Sequence, residues 1–509
     1  MAGQLQPDMS NEIELKLALP EDALPLLQRQ SLLRRAVSRK TEQLVNLYYD
    51  TPALALHQRG IALRLRKQGR IWLQTVKCAG SSSAGLSNRP EWEAPYNHYF
   101  DFAAIDDPKV RRWLDRPMLK RAILPLFETS FRRTTWRFEP APGCVVLMMQ
   151  DRGWVAAAGR RETISELELE LASGDIEELF KLAQTLAERL PLVPLLLSKA
   201  ERGYRLYRKV RPAPVKGEPV ALDPAGPPLA AFRSIALSCL EHQQGNRDGV
   251  LTGDDPEYIH QMRVATRRLR AAMRLFGPRL PPGFDDQLLP ALRQLMDKLG
   301  RVRDLDVLLA EITLPVMRAL PDEPRLVTLV GAVTARQYAV REVAIRYLRS
   351  SAYGRLMLQA SAQLHRPPFI EPPAEETIVA FADDRLKRLR KKVRELAEAA
   401  STEDPSSLHR LRIAIKRLRY ALEFFAPLCS GRPLTRLLKK LGLLQDELGQ
   451  LNDLANAGVL LMHCAGDDPR LREAVSLVGG WHAARHSELL ACIPGRLKEL
   501  RRFSLPALG

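Results

Sequence analysis

Two short stretches of this chain place glutamate on every second residue. NEIELKLAL begins at Asn11 and SELELELA at Ser165. Two others do the same with basic residues: Arg64 and Arg66 in IALRLRKQ, and Lys77 following Thr75 in WLQTVK. A strand turns successive side chains to opposite faces. Glu12, Glu14 and Lys16 therefore share one face, with Ile13, Leu15 and Leu17 on the other. Glu166, Glu168 and Glu170 align in the same way. An apolar and charged alternation ordinarily marks a sheet with one wet face, but such a face mixes signs. Rows of one sign repel and call for the opposite sign across a closed sheet. A divalent cation would satisfy the carboxylates further, because hard cations prefer oxygen ligands.

A second pattern runs at helical spacing. His260, Arg263, Arg267, Arg270 and Arg274 fall three or four residues apart and share one helix face. His409, Arg412, Lys416 and Arg419 repeat it, and Arg268 and Arg417 flank the two stripes. No acidic residue lies between His260 and Arg274, whereas a solvated helix face gains from alternating signs. A standing row of like charges is relieved by an anion. Metal chelation by the histidines is disfavoured, since Val264 and Ile413 occupy the i+4 positions. Asp304 and Asp453 are suited to fixing an arginine or capping a helix. A third basic run, Arg385 to Lys392, extends the patch.

The elements that position these residues divide at RPAPVKGEPVALDPAGPP, a Pro/Gly-rich linker beginning at Arg211. Period-two patterns precede it and 3.6-residue periods follow it. In the helical part, residues 260–305 overlay residues 409–454 with a constant offset of 149, and about 18 of the 46 positions are identical. Two copies at so long a period are a duplication, giving two related helical bundles. A weaker break falls at RPPFIEPPAEE. The expected limits are residues 8–208 for the first domain, 209–225 for the linker and 226–509 for the second, with halves at 226–370 and 371–505.

The ordered set of charged strands resembles the CYTH superfamily of triphosphate-tunnel metalloenzymes. NLYYDTP, the loop CAGSSSAGLSNRPEWE, QDRG and LSKAERGY add to the likeness. The resemblance implies an α+β multidomain chain: an eight-stranded antiparallel β-barrel tunnel, then an all-α domain of two duplicated bundles. It further implies that Glu12, Glu14, Glu168 and Glu170 hold Mg2+ or Mn2+, supported by Glu166 and Asp151. Arg64, Arg66, Lys77 and Lys199 would clamp the phosphates, and Lys16 would stand beside the phosphates or the attacking water. FETSFRRTTWRF supplies one more arginine, Arg133 rather than Arg132, because Trp136 and Phe138 place the even positions on the apolar face. The implied chemistry is metal-assisted phosphoanhydride hydrolysis, in which charge neutralisation and alignment dominate. Lys16, Glu12 and Glu14 are its expected catalytic set.

The helical half resembles the CHAD domain, whose name-giving histidines match His260 and His409. This likeness implies binding of inorganic polyphosphate through His260, Arg263, Arg267, Arg270, His409, Arg412, Lys416 and Arg419. Fusion of the two domains resembles the bacterial inorganic triphosphatases, which puts inorganic tripolyphosphate first as substrate and longer polyphosphate as partner. The alternatives are a non-catalytic polyphosphate-binding or granule-associated protein, and a CYTH enzyme acting on thiamine triphosphate or ATP.

Composition narrows the classes. The 509 residues exceed one ordinary core. A net charge of +18, about +8 before residue 216 and +10 after it, favours polyanions. Aromatic content of 6% and the lack of a base-reading motif disfavour nucleic acid. The P-loop pattern is absent. Six scattered cysteines fit a reducing compartment. With no signal pattern or membrane-length apolar run, the expectation is a cytoplasmic protein without a membrane partner, able to associate with polyphosphate granules.

Overall fold

The computed structural model describes residues 11–370, 372–373, 376–429 and 431–508. The expected domain limits at residues 8, 371 and 509 lie outside the described residues. The chain forms two compact units. Residues 1–213 and 349–362 make the first, and residues 214–348 and 363–509 the second.

The first unit is built on ten strands: β1 (Asn11–Ala18), β2 (Ser38–Asp50), β3 (Ile61–Gln68), β4 (Ile71–Cys78), β5 (Ser81–Ser83), β6 (Leu86–Pro95), β7 (Leu124–Ala141), β8 (Cys144–Ala157), β9 (Arg160–Ser173) and β10 (Val193–Pro194). Eight of them close an antiparallel barrel in the order β1-β9-β8-β7-β2-β3-β4-β6, with β6 returning to β1. Closure depends on β6 changing partners along its length. Residues 91–95 pair with β4 and residues 86–90 with β1. By its likeness to the family, CAGSSSAGLSNRPEWE is expected to be a loop. The structure corrects that: Pro90 sits at the far end of the β1 pairing, opposite Asn11, where the ladder stops.

Five helices pack around the barrel: α1 (Leu24–Gln28), α2 (Pro108–Leu114), α3 (Pro117–Ala122), α4 (Ile176–Ala187) and α5 (Lys199–Tyr207). The outward residues of β1 and β9, Leu15, Leu17, Leu167 and Leu169, are fully buried against Leu179, Phe180, Ala183 and Leu186 of α4. Asp175 starts α4 by accepting from the Glu177 amide at 2.8 Å, with Glu177 and Glu178 in the first turn. Ser198 caps α5 through the Glu201 amide at 3.2 Å.

The second unit is helical: α6 (Pro228–Gly245), α7 (Arg247–Thr252), α8 (Pro256–Phe276), α9 (Phe284–Val307), α10 (Leu314–Ala319) and α11 (Pro324–Leu348). After α12 (Ser351–Leu364) come α13 (Ile378–Ala399), α14 (Pro405–Phe424), α15 (Gly431–Ala465) and α16 (Pro469–Arg501). Leu358 and Ala362 of α12 belong to the apolar core over β1 and β9, so most of α12 is part of the first unit.

The repeat is built in full at its start. Asp255 caps α8 through the Glu257 amide and Asp404 caps α14 through the Ser406 amide, each followed by proline at the first helical position. Phe276 and Phe425, 149 positions apart, meet with ring centroids 5.9 Å apart. Pro214 onward lacks regular structure up to α6, yet it is held: Val215 exchanges two 2.9 Å hydrogen bonds with the Asn246 side chain. Among the described residues, no helix is long and apolar enough to cross a membrane.

Candidate active site and anion groove

Strand register turns the charged rows into a lumen. Around the barrel, Lys16 stands opposite Glu168, Glu166 opposite Asp151, and Asp151 opposite Arg133. Farther round, Asn46 stands opposite Arg66, Ala62 opposite Lys77, Lys77 opposite Glu91, and Arg89 opposite Glu12. The cavity these strands enclose is lined by Glu12, Glu14, Lys16, Arg64, Arg66 and Lys77, and by Arg89, Arg133, Glu168 and Lys199. Arg133 points inward and Arg132 is exposed to solvent.

The opposite charges draw onto one another. The Arg133 guanidinium donates to Asp151 at 2.6 Å and to Glu168 at 2.5 Å. The Lys199 ammonium sits among Asp151 at 2.6 Å, Glu168 at 2.9 Å and Glu166. Lys77 bridges Glu12 at 2.5 Å and Glu91 at 2.7 Å, and Arg64 reaches Glu91 at 3.0 Å. Glu14 receives Lys16, and Arg89 at 2.5 Å. Burial raises the Glu168 carboxyl, but Lys199, Arg133 and Lys16 outweigh it and hold it well below the usual carboxylate range. Glu14 is lowered likewise: burial works against Lys16 and Lys77 and loses. Glu91 is brought to about 2 by Lys77 and Arg64 against the effect of burial. Arg66 lies deep beside Arg64 and Arg133, and burial with those like charges brings it to about 10.

Which corner could hold a cation follows from where pairing fails. Asp151, Glu166 and Glu168 bring carboxylate oxygens within 4.8 Å of one another, but Lys199, Arg133 and Arg202 already pair with that cluster. Glu170 differs. Its register partner across β1 is Glu14, and it makes no ion pair among the described residues. Burial, with Glu12, Glu14 and Glu168 nearby, pushes its carboxyl up to about 7. Positive charge is therefore lacking at Glu170, and carboxylate oxygens of this kind suit a hard divalent cation.

Several lining residues escaped the sequence reading. Arg89, Glu91 and Glu93 lie on the lumen side of β6, where Glu93 accepts from Thr75 at 3.2 Å. Their period-two spacing was the available signal, hidden by the apparent loop. Arg202, one turn after Lys199, donates to Glu162 at 2.6 Å and Glu166 at 3.3 Å. Asp50, fully buried, accepts the amides of Thr51, Leu56 and His57 and the Tyr204 hydroxyl at 3.1 Å. It thereby ties the NLYYDTP turn to the helix that presents Lys199. Gly153 of QDRG is required by packing, since a Cβ there would lie 2.1 Å from the Ser130 carbonyl oxygen of β7.

The helical unit carries a larger cavity of about 970 Å3, between α8 and α14 over α9 and α15. His260, Arg263, Arg267, Arg303, Arg412 and Lys416 line it together with Asp304, Glu311, Asp446 and Asp453. Arg303 reaches Glu311 at 3.8 Å, but other cations of the groove are left over. Among the described residues Arg263, Arg267, Arg412 and Lys416 form no ion pair, and the buried Nε atoms of Arg267 and Arg412 have no hydrogen-bond partner. Burial and the neighbouring Arg412 and Arg267 bring the Lys416 ammonium down to about 7. His260 is lowered by burial and by Arg303, Arg267 and Arg263. Three expected residues stand apart from this lining. His409 is exposed, with Asn452 3.3 Å away. Arg419 is tied to Glu423 at 3.1 Å, and Arg270 lines a neighbouring cavity.

A closed tunnel lined by paired charges of both signs, followed by a duplicated helical unit whose groove holds unpaired cations, defines a two-domain protein of the CYTH and CHAD type. Residues 10–204 match the family model of the CYTH domain and residues 234–461 that of the CHAD domain. The chain is a CYTH domain followed by a CHAD domain. It is 32% identical over 203 residues to the inorganic triphosphatase of Haemophilus influenzae, a match covering 40% of this chain and 56% of that protein. An uncharacterized protein of Mycobacterium tuberculosis is 29% identical over 82% of both chains. The crystal structure of the CHAD domain from the plant Ricinus communis is 36% identical, with a TM-score of 0.52, covering 58% of this chain and 99% of that one.

Proposed function

We propose that the barrel hydrolyses inorganic tripolyphosphate to diphosphate and phosphate with Mg2+ or Mn2+, and that the helical groove holds longer polyphosphate. The observation that carries the reading is a buried lumen in which seven basic residues, Lys16, Arg64, Arg66, Lys77, Arg89, Arg133 and Lys199, meet Glu12, Glu14 and Glu168. A site for anions alone gains nothing from Glu12, Glu14, Glu168 and Glu170. Likeness to an inorganic triphosphatase supports the substrate choice.

In this reading Arg64, Lys77, Arg133 and Lys199 exchange internal carboxylate partners for phosphate oxygens, and Arg66, held by Asn46, joins them. Arginines meet those oxygens two at a time and lysines act as point charges. Asp151 and Glu166 keep Arg133 and Lys199 aimed at the chain axis. Glu12, Glu14, Glu168 and Glu170 would hold the cation, which neutralises phosphate charge and lowers the pKa of a bound water. Lys16, released from Glu14, stands beside the phosphates. Alignment by this rigid cage supplies the in-line geometry that phosphoryl transfer needs. In the helical unit, the unpaired Arg263, Arg267, Arg412 and Lys416 gain counter-charges from a polyphosphate chain, and such binding would carry the protein to polyphosphate granules.

The test is phosphate release from tripolyphosphate with Mg2+ or Mn2+, for the unaltered chain and Glu14→Ala. Metal-dependent release that disappears in the variant is expected; no release would remove the reading. Higher kcat/KM for thiamine triphosphate or ATP would move the substrate assignment and keep the chemistry.

A further inference from the structure

A second cavity of the helical unit, about 550 Å3, shares Arg267 and Lys416 with the polyphosphate groove and opens along the other side of the α8 and α14 stripes. Its volume is within the range of small-ligand pockets. Its lining differs in kind from that of the groove. Met296, Leu389, Ile413, Tyr420 and Phe424 form an apolar floor, and Arg270, Arg274, Arg385, Arg388 and Arg417 surround it. No carboxylate is among the lining residues. Arg388 is answered by Asp384 at 2.9 Å, but Arg270, Arg274 and Arg417 have no ion pair among the described residues. Burial and the neighbouring Arg293 and Arg274 lower Arg270, and burial with Arg274 lowers Arg417.

An inorganic polyphosphate would satisfy the arginines and leave the floor without a partner. The floor is shaped for a ring. Tyr420 and Phe424 are nearly parallel, at 21° with centroids 6.4 Å apart. Phe424 is already covered by the Arg268 guanidinium at 5.1 Å, so the half-buried Tyr420 is the ring left to stack. Ile413, 37% exposed, lies on the same helix face. We propose that this cavity binds a nucleoside polyphosphate, with the base on Tyr420 and Ile413 and the phosphates among Arg270, Arg274 and Arg417. Base stacking on an aromatic side chain is sequence-tolerant and favourable, and guanidinium groups suit phosphate oxygens. Because Arg267 and Lys416 line both cavities, a nucleotide here lies close enough to compete with polyphosphate for those two cations.

Photolabelling of the full chain with 8-azidoadenosine triphosphate in EDTA, followed by peptide mapping, tests this apart from any hydrolysis in the barrel. Label is expected on the α14 peptide containing Tyr420. ATP should protect it at a concentration at least tenfold below that of tripolyphosphate. Tyr420→Ala, and Arg274→Ala combined with Arg417→Ala, should each cut that label at least fivefold with an unchanged melting temperature. Ile413→Ser, at an exposed position, serves if Tyr420→Ala does not fold. Label confined to barrel peptides, protection by tripolyphosphate equal to that by ATP, or stronger protection by lysophosphatidic acid would overturn the proposal.

Discussion

The barrel lumen and the helical groove both gather arginines and lysines, and they do so on opposite terms. In the lumen nearly every cation rests on a carboxylate, as Lys199 does on Asp151, Glu166 and Glu168. In the groove Arg267, Arg412 and Lys416 rest on nothing within ion-pairing distance among the described residues. A two-signed cage can bind a cation and an anion together, the arrangement phosphoanhydride chemistry requires. A groove whose arginines and lysine lack ion-pair partners is suited to retaining an anion. Basic character alone would have assigned both regions the same task.

The largest expected effect separates the two functions. Glu14→Ala should lower metal-dependent phosphate release from tripolyphosphate by about 10³-fold or more, measured by free phosphate, while long-chain polyphosphate is still retained. Arg412→Ala with Lys416→Ala should instead release long-chain polyphosphate, with a drop in affinity on the order of 10–100-fold at fixed salt.

The comparison also predicts opposite signs for stability. Arg133→Met leaves buried Asp151 and Glu168 to share Lys199 with Glu166, so it should destabilise the barrel by up to roughly 3–5 kcal/mol, seen as a lowered melting temperature. Lys416→Met removes a cation that its neighbours repel, so it should raise the melting temperature. The direction follows from linkage. The folded-state value near 7 lies below the ordinary lysine range, so the unfolded chain binds the extra proton between the two. Lys416 therefore costs most stability below pH 7, and the gain from Lys416→Met should be larger at pH 6 than at pH 9. A destabilising Lys416→Met would mean that the groove's charges are compensated after all.

A smaller effect concerns affinity. Anion binding favours charged Lys416, so polyphosphate should bind more weakly as pH rises through 7, by at most about tenfold per unit for one proton. The smallest concerns the repeat itself. Asp255→Ala and Asp404→Ala should each cost about 1 kcal/mol through loss of an N-cap, measured by chemical denaturation; unequal losses would show that the two copies have diverged in stability.

Much of the site was legible because strand alternation is an arithmetic constraint. Once Leu15 and Leu17 are known to be buried, Glu14 and Lys16 have only one place to go. The same arithmetic separates Arg133 from Arg132. Arg89 and Glu91 were not legible, because Pro90 between them mimics a loop, and only the change of partner along β6 makes them lumenal. The isolation of Glu170 could not be read either, since all three glutamates of its strand look alike until register sets Glu170 against Glu14. In the helical unit the 3.6-residue period gave the basic stripes. It could not distinguish Arg412, which stays unpaired, from Arg419, which folds onto Glu423. Nor could it assign α12, whose apolar pattern fits either neighbour.

That last helix bears on how the molecule is made. Leu358 and Ala362 complete the apolar layer over strands that leave the ribosome more than 150 residues earlier. Until they emerge, that flank of the nascent barrel has the cover of α4 but lacks this last piece. A chain ended at the linker would lack that piece permanently, and the tunnel is therefore better studied in the intact polypeptide than in a fragment cut where the composition changes.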